Sequence, residues 1–395
     1  MLPPVLHDEK TGIYRSDYKE YKGPSEMSWY NRMLGDITWD EEVPTFIECS
    51  KRPRTLTNSS LKLQAQQLGV GLLKSAGLKP GQVVMMVAGN CIEFPIVLMA
   101  AAFAGLRIAL ANPAYLPHEL KHTIAITNPE KIFVMTPLMK NLVDANVPWN
   151  KVISMDTEIG RGGALFMRKI MVSESEAKAA KPYEPKDYNE TQVLPFSSGT
   201  TGLPKSVEVT HRNLVAMVES MIHIPNSLGS VKRHLGILPF YHAFAFQANI
   251  AVPLISRGCL WILPSPFDPV RYCQVIEQEK IEALCVVPPL FIVLTNTPTA
   301  NKETWKSVKF LISGAAPLDP ETQQRLIDKT GVEVRSGWGM TETTVGGLGL
   351  HGNLKIGTCG RPLPGMEVSF LLRTMIRGSQ RYLRYLFLFF DRQCA

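Results

Sequence analysis

The stretch Pro195–His211, PFSSGTTGLPKSVEVTH, gathers small polar residues around a single lysine. Gly199 and Gly202 permit a tight turn that brings backbone N–H groups close to an anion. Ser197, Ser198, Thr200 and Thr201 add hydroxyl donors, and Lys205 supplies a positive charge for a phosphate. The spacing G-x-x-G-x-x-K-S is not the G-x-x-x-x-G-K-[ST] of a Walker loop, so a phosphate cradle of another kind is expected. A second candidate is Ser336–Thr343, SGWGMTET, where Gly337 and Gly339 flank Trp338 and leave its ring free to lie on a flat heterocycle. Met340 and Thr341 follow, and Glu342 offers the hard carboxylate that Mg²⁺ prefers. Taken alone, Trp338 is more often a packed core aromatic and Glu342 a solvated charge at a helix end, and the motif gains weight only beside the first. A third is Leu238–Phe246, LPFYHAFAF, with His242 among aromatics; a histidine in such company is either a satisfied core residue or a catalytic one. The fourth is Ser313–Leu318, SGAAPL, where Ala315 and Ala316 permit either close approach of a ligand or a tight packed turn.

All four follow strand-like runs, and this is what a site at the strand ends of an α/β protein requires. Val83–Val87, Ile132–Met135 and Val152–Met155 read as buried strands, with Leu61–Leu78 and Glu93–Ala104 as helices. A polar segment, Ser173–Thr191, reads as a connection between two halves. After it, Gln192–Phe196 enters the glycine run as a strand and Asn213–Met221 leaves it as a helix. Gly236–Pro239, Leu284–Val287, Lys309–Ile312 and Val332–Arg335 are further strands, with helices Pro269–Gln278 and Glu321–Lys329 between. Strands alternating with helices imply layered α/β sheets, largely parallel.

Composition narrows the class. The 395 residues are 45% hydrophobic and 19% charged, as in a folded enzyme-sized protein of two or three modules. Of the net charge of +7, four units sit in Leu371–Ala395, where five arginines face Asp391. The body therefore lacks the basic stripe of a nucleic-acid-binding protein, and no nucleic-acid partner is expected. Seven scattered cysteines without a Cys-x-x-Cys pair imply a reducing compartment. The run Phe94–Leu106 has thirteen apolar residues, short of the roughly 20 a membrane span needs, and reads as a buried helix. With no apolar signal at the start and no peroxisomal or prenylation address in Gln393-Cys394-Ala395, a cytoplasmic location is expected.

Together, PFSSGTTGLPKSVEVTHRNL, LPFYHAFAF, SGAAPL, GWGMTET and GTCGRPLPG resemble, in order and content, the adenylate-forming acyl-CoA ligases. That group includes 4-coumarate–CoA ligases, fatty acyl-CoA synthetases and firefly luciferase. GLKPGQVVMMVAGN, ALANPAYLPHELKHTI and VVPPLFIVL add to the likeness, which runs from about residue 40 to Ser369 and looks most like 4-coumarate–CoA-ligase-like enzymes. The resemblance implies layered α/β sheets of the large N-terminal domain at 40–369, behind an N-terminal extension at 1–39. It implies ATP-dependent activation of a carboxylic acid, aryl or medium-chain, to acyl-AMP, then thioester formation with CoA, with Mg²⁺ as cofactor. Ser197, Ser198, Gly199, Thr200, Thr201, Gly202 and Lys205 would hold the triphosphate. Ala315, Ala316, Gly337, Trp338, Gly339, Met340 and Thr341 would surround AMP, with Trp338 where tyrosine is usual, and Glu342 would bind Mg²⁺. His242 would orient the carboxylate, with Phe244 and Ala248 lining the acyl pocket.

The sequence also departs from that pattern. Ser206 stands where glycine is usual, and Pro266 precedes Phe267-Asp268 where a basic residue is common. Beyond Ser369 the resemblance ends: an incomplete β-barrel module and no small C-terminal domain are expected, with 370–395 an aberrant basic, aromatic tail. Wound as a helix, that tail would expose Tyr382, Tyr385, Leu386, Phe387 and Phe389 beside arginines, a composition suited to a membrane surface. A truncated, non-catalytic fragment that binds ATP or an acyl ligand is the alternative reading. An amino-acid-activating domain would carry an acidic partner for the amine, and LPFYHAFAF holds none.

Overall fold

A computed structural model describes residues 5–16, 26–198, 202–349, 355–377 and 380–391. Two largely parallel sheets dominate. In the first, Val83–Val87 lies between Arg107–Ala111 and Lys131–Val134, all parallel, with every residue of Val83–Val87 buried. Strands covered on both faces carry continuous apolar runs, which is why VVMMV was readable as a strand. Thr191–Ser198 extends this sheet beside Arg107–Ala111, with Val193 opposite Ile108 and Pro195 opposite Leu110. A short antiparallel arm, Pro204–Ser206, closes that edge.

The second sheet runs Glu333–Ser336, Phe310–Ser313, Ala283–Val286, Arg233–Gly236, Cys259–Ile262, Pro44–Glu48, Arg54–Thr57. Its first six strands are parallel, and only Arg54–Thr57 is antiparallel. The strand expected at Gly236–Pro239 ends at Gly236 instead, ahead of Pro239, which has no N–H to give to a ladder.

Between the sheets lies the helix Glu93–Phe103, all eleven residues buried. It shares one core with Val84, Met86 and Ile108 of the first sheet and Leu260, Ile262 and Cys285 of the second. A helix apolar on all sides must be covered on all sides, so the buried-helix reading of this run holds. Among the described residues no helix is long and apolar enough to cross a membrane. The neighbouring helix Asn58–Lys74 starts on a capping box, Thr57 Oγ1 accepting from the Ser60 N–H at 3.2 Å. It approaches its surroundings so closely that a Cβ at Gly69 would meet Phe103 at 2.6 Å and one at Gly71 would meet the Ile170 carbonyl at 1.9 Å.

Three expectations change. The segment Ser173–Thr191 does not divide the chain into halves: it carries the helix Glu174–Ala179, ion-paired to Lys74 through Glu176, and returns the chain to the first sheet. The chain instead crosses between sheets early, because Pro44–Glu48 pairs with Cys259–Ile262. The N-terminal extension is partly core, with Trp29, Tyr30, Met33, Leu34 and Ile37 buried and the Trp29 N–H donating to His211 Nδ1 at 3.1 Å. The tail is not a helix. Met366–Arg377 and Gln380–Asp391 pair antiparallel from Met366 opposite Asp391 to Arg377 opposite Gln380, and the hairpin Val5–Asp8 and Ile13–Ser16 completes a four-stranded sheet. The Arg15–Glu367 ion pair, at 2.5 Å, ties that hairpin on. The order is Val5–Asp8, Ile13–Ser16, Met366–Arg377, Gln380–Asp391, and it does not close into a barrel.

Candidate active site

Ser197 and Lys205 sit where the first sheet meets the turn that follows Glu333–Ser336 of the second. In the ladder between Thr191–Ser198 and Pro204–Ser206, Ser197 lies opposite Lys205. Residues directly opposite in an antiparallel pair project to the same face, so the hydroxyl and the ammonium share one side. On that side the Ser197 hydroxyl donates to Glu342 Oε1 at 3.1 Å. One hydrogen bond thereby joins the glycine-run strand to the SGWGMTET turn, 145 residues away in sequence. Lys205 and Glu342 are both exposed. Ser198 ends its strand; Gly199, Thr200 and Thr201 lie outside the described residues. Gly202, at φ +89°, has open space where a Cβ would stand, so its glycine is required by backbone conformation and not by crowding.

The other motifs occupy the carboxyl ends of parallel strands, where open α/β sheets bind ligands. After Phe310–Ser313 the chain turns through Ala315, whose φ of +69° is a left-handed conformation uncommon for a residue with a Cβ. After Glu333–Ser336, the Gly337 N–H donates to the Ser313 carbonyl at 2.8 Å, and a Cβ on Gly339 would stand 1.7 Å from the Val345 carbonyl. Trp338 is half-buried, its N–H on the Leu348 carbonyl at 3.0 Å. Thr341 is buried at the start of a short 3₁₀ turn, Thr341–Thr343, which presents Glu342 outward. Thr344 closes the turn at φ +67°, a second strained position beside the site.

His242 caps the short helix Ala243–Ala245, its Nδ1 accepting the Phe244 N–H at 3.4 Å. With Nδ1 engaged as an acceptor, the neutral ring carries its proton on Nε2. Solvent reaches the imidazole, yet the protein around it removes enough water to lower its pKa below the ordinary histidine value. His242, Phe244, Ala315, Gly337, Trp338, Gly339 and Met340 border one cavity of about 120 Å³. The third and fourth motifs and the glycine–tryptophan turn therefore meet at one place.

Some expected residues fall elsewhere. Ala248 is fully buried and does not border the cavity; Phe246–Ala251 forms a wider π-helical turn, so Ala248 is not repeated on the face of Phe244 as an α-helix would repeat it. Ala316 is exposed and off the cavity wall; exposed Lys205 and half-buried Ser197 are off it too, paired with each other across their ladder. The wall holds residues that motif reading passed over: Met217 and Met221 from the helix His211–Ile222, Ile224 after it, and Leu363. The apolar stripe of that helix was the readable signal; Leu363, inside GRPLPG, had none. Arg335 also borders the cavity, 7% exposed, but its guanidinium is committed to the Glu333 carboxylate at 3.0 Å and the Asn226 carbonyl, over the Phe310 ring at 4.0 Å.

Among the described residues no group of three or more His, Cys, Asp or Glu could hold a metal alone. A single outward carboxylate with one oxygen engaged fits Mg²⁺, which keeps several waters and takes phosphate oxygens as ligands.

Comparison with known proteins finds relatives over most of the chain. The profile of the AMP-binding enzyme family matches residues 39–372. A 4-coumarate–CoA ligase of Pinus taeda is 28% identical over 370 residues, covering 87% of this chain and 67% of the relative. The peroxisomal OPC-8:0-CoA ligase 1 of Arabidopsis thaliana is 27% identical, covering 75% of this chain and 55% of its own length. This chain thus spans between about half and two thirds of the length of such relatives. Among solved structures, the luciferase-like enzyme of the mealworm Zophobas morio superposes with a TM-score of 0.77 at 19% identity, covering 97% of this chain and 86% of that one. A benzoate CoA ligase of Burkholderia xenovorans LB400 gives 0.74 at 17% identity, covering 88% and 68%.

Proposed function

Because this chain belongs to the AMP-binding enzyme family, we propose that it activates a carboxylic acid as an acyl-adenylate and transfers the acyl group to coenzyme A. The observation that carries the reading is the convergence of Ser197, Lys205 and Glu342 on one side, two residues along the chain from Met340 on the cavity that His242 borders. In the first step a carboxylate oxygen attacks the α-phosphorus of ATP, the bond to the β-phosphate breaks, and pyrophosphate leaves. Two anions must meet, so the site has to offset their repulsion. Lys205 supplies the cation for the phosphates, and Thr341 supplies a hydroxyl beside them. Trp338 supplies a flat face for adenine. His242, held neutral by its lowered pKa, donates Nε2–H to the carboxylate and fixes its direction without protonating it. Glu342 would hold Mg²⁺, which adds positive charge at the phosphates. In the second step the CoA thiol, its proton lost to solvent, attacks the acyl carbonyl carbon, the bond from that carbon to the phosphate oxygen breaks, and AMP departs.

An aryl or medium-chain acid suits the apolar wall of the cavity, and relatives named for 4-coumarate, OPC-8:0 and benzoate support that class. Calorimetric titration with ATP–Mg²⁺ tests the phosphate grip: Lys205→Ala should weaken binding by about tenfold or more, the worth of one charge-assisted contact. Equal affinity in both proteins would refute the role of Lys205. Pyrophosphate release over a panel of acids tests the chemistry directly.

A further inference from the structure

The cavity has an apolar wall to which none of the expected site residues belongs. Met217, Ile224 and Leu363 form a cluster of their own, with Met221, Val345 and Met366 packed against it, and all of these except Met366 border the cavity. The five on the cavity come from three separate places: the helix His211–Ile222 and its exit, the turn after Thr341–Thr343, and the residue that follows the strand Arg361–Pro362.

Leu363 is fixed from both sides. Arg361–Pro362 pairs antiparallel with Leu348–Gly349, Leu348 opposite Pro362. The Leu363 N–H donates to the Gly347 carbonyl at 3.0 Å, and its own carbonyl accepts from Met366 at 2.9 Å. Its side chain is seated against Gly346, where a Cβ would stand 3.0 Å from Leu363 Cδ1. Gly346 does not have the left-handed φ that would demand glycine, so its missing side chain matters through this contact. The charge on the wall is already spent, because Arg335 is tied to Glu333 and the Asn226 carbonyl.

We infer that Leu363, seated on Gly346, sets the length limit of the acyl group, and that the substrate class is a monocarboxylic acid with a compact, uncharged apolar tail. This rests on the acid-activating reading of the same cavity. With the carboxylate on His242, the tail is left to Met217, Met221, Ile224, Val345 and Leu363. Each methylene that fits adds about fourfold in affinity, and the first that does not fit ends the series. A second carboxylate on the tail would meet an apolar wall and an arginine already neutralised, so a dicarboxylic acid of equal length is disfavoured.

The test is calorimetric binding of a series of straight-chain acids of increasing length, of cinnamate, and of a dicarboxylic acid, to the full chain with Mg²⁺ and an ATP analogue whose α,β bridge is a methylene present, so that no adenylate forms. Wild type should show affinity rising with length to a limit, and at least tenfold weaker binding of the dicarboxylate. Leu363→Ala should move the limit up by about two or three carbons. Gly346→Ala, whose Cβ would stand 3.0 Å from Leu363 Cδ1 at the cavity wall, should move it down, and this opposite shift separates pocket size from loss of fold. An unchanged limit in both variants, or equal binding of mono- and dicarboxylate, overturns the inference and leaves acid activation standing. If wild type binds ATP but none of the acids, the underlying reading falls and this one with it.

Discussion

Lowering the pH should unfold this protein through two buried histidines, and the size of the effect follows from their surroundings. His211 is 2% exposed and His234 is 1% exposed. Burial pushes both pKa values down to about 4, against the weaker upward pull of Glu190 on His211 and of Glu282 on His234. The local geometry agrees. His211 Nδ1 accepts the Trp29 N–H, so a proton there would break that bond. His234 Nε2 lies 3.2 Å from the Val231 carbonyl while its Nδ1 has no partner, so a second N–H would be buried unsatisfied. In the unfolded chain each ring takes its proton near pH 6.5, which the folded protein refuses until about pH 4. The unfolded state therefore binds more protons across this window, and stability present above pH 6.5 is lost as the pH falls toward 4. Between pH 7 and pH 5 each histidine should cost about 2 kcal/mol, about 4 kcal/mol for the pair. Urea unfolding at the two pH values measures it. The double variant His211→Asn, His234→Gln keeps an acceptor for Trp29 and a donor for Val231 but cannot titrate, so its loss over the same interval should be smaller by that amount. An equal loss in wild type and double variant would refute the reasoning.

Other outcomes follow from single contacts. Gly339→Ala puts a Cβ 1.7 Å from the Val345 carbonyl; the turn carrying Trp338 must shift, costing about 2–3 kcal/mol in thermal or urea unfolding and weakening ATP binding. Ser197→Ala removes the hydrogen bond that holds Glu342, so the Mg²⁺ concentration at half-saturation of ATP binding should rise several-fold, with recovery in Ser197→Thr. Thr57→Ala deletes the cap of Asn58–Lys74 and should lower unfolding free energy by about 1 kcal/mol without changing ATP affinity.

How much of this was legible in the sequence depended on whether the cause was local. Glu93–Phe103 was readable because its residues are apolar without a polar face, and Pro269–Gln278 because Asp268 caps it and Pro269 occupies its first turn. The motif loops were found at their strand ends, since glycines and small residues mark close backbone approach. Sheet membership was not readable. Nothing local in Pro44–Glu48 says that its partner is Cys259–Ile262, because pairing is decided by which apolar faces are left after the rest has packed. Trp29 and Tyr30 looked like part of an extension because their burial depends on His211 and Gln66, far along the chain. Ala248 was misplaced by a helical turn of unusual width. Leu363 was missed because the wall it completes draws on segments roughly 150 residues apart, a distance no window of sequence spans.

The pairing of Pro44–Glu48 with Cys259–Ile262 also sets a timetable for synthesis. At about 5–20 residues per second, a ribosome needs roughly 10–40 s after making the first of these strands to make the second. Throughout that interval Phe46 and its neighbours have no sheet to join, and the apolar helix Glu93–Phe103 has only one of its two covers. A nascent chain of this protein should therefore depend on holding chaperones more than its finished stability suggests, and cutting it near residue 180 should yield two pieces of which neither folds alone.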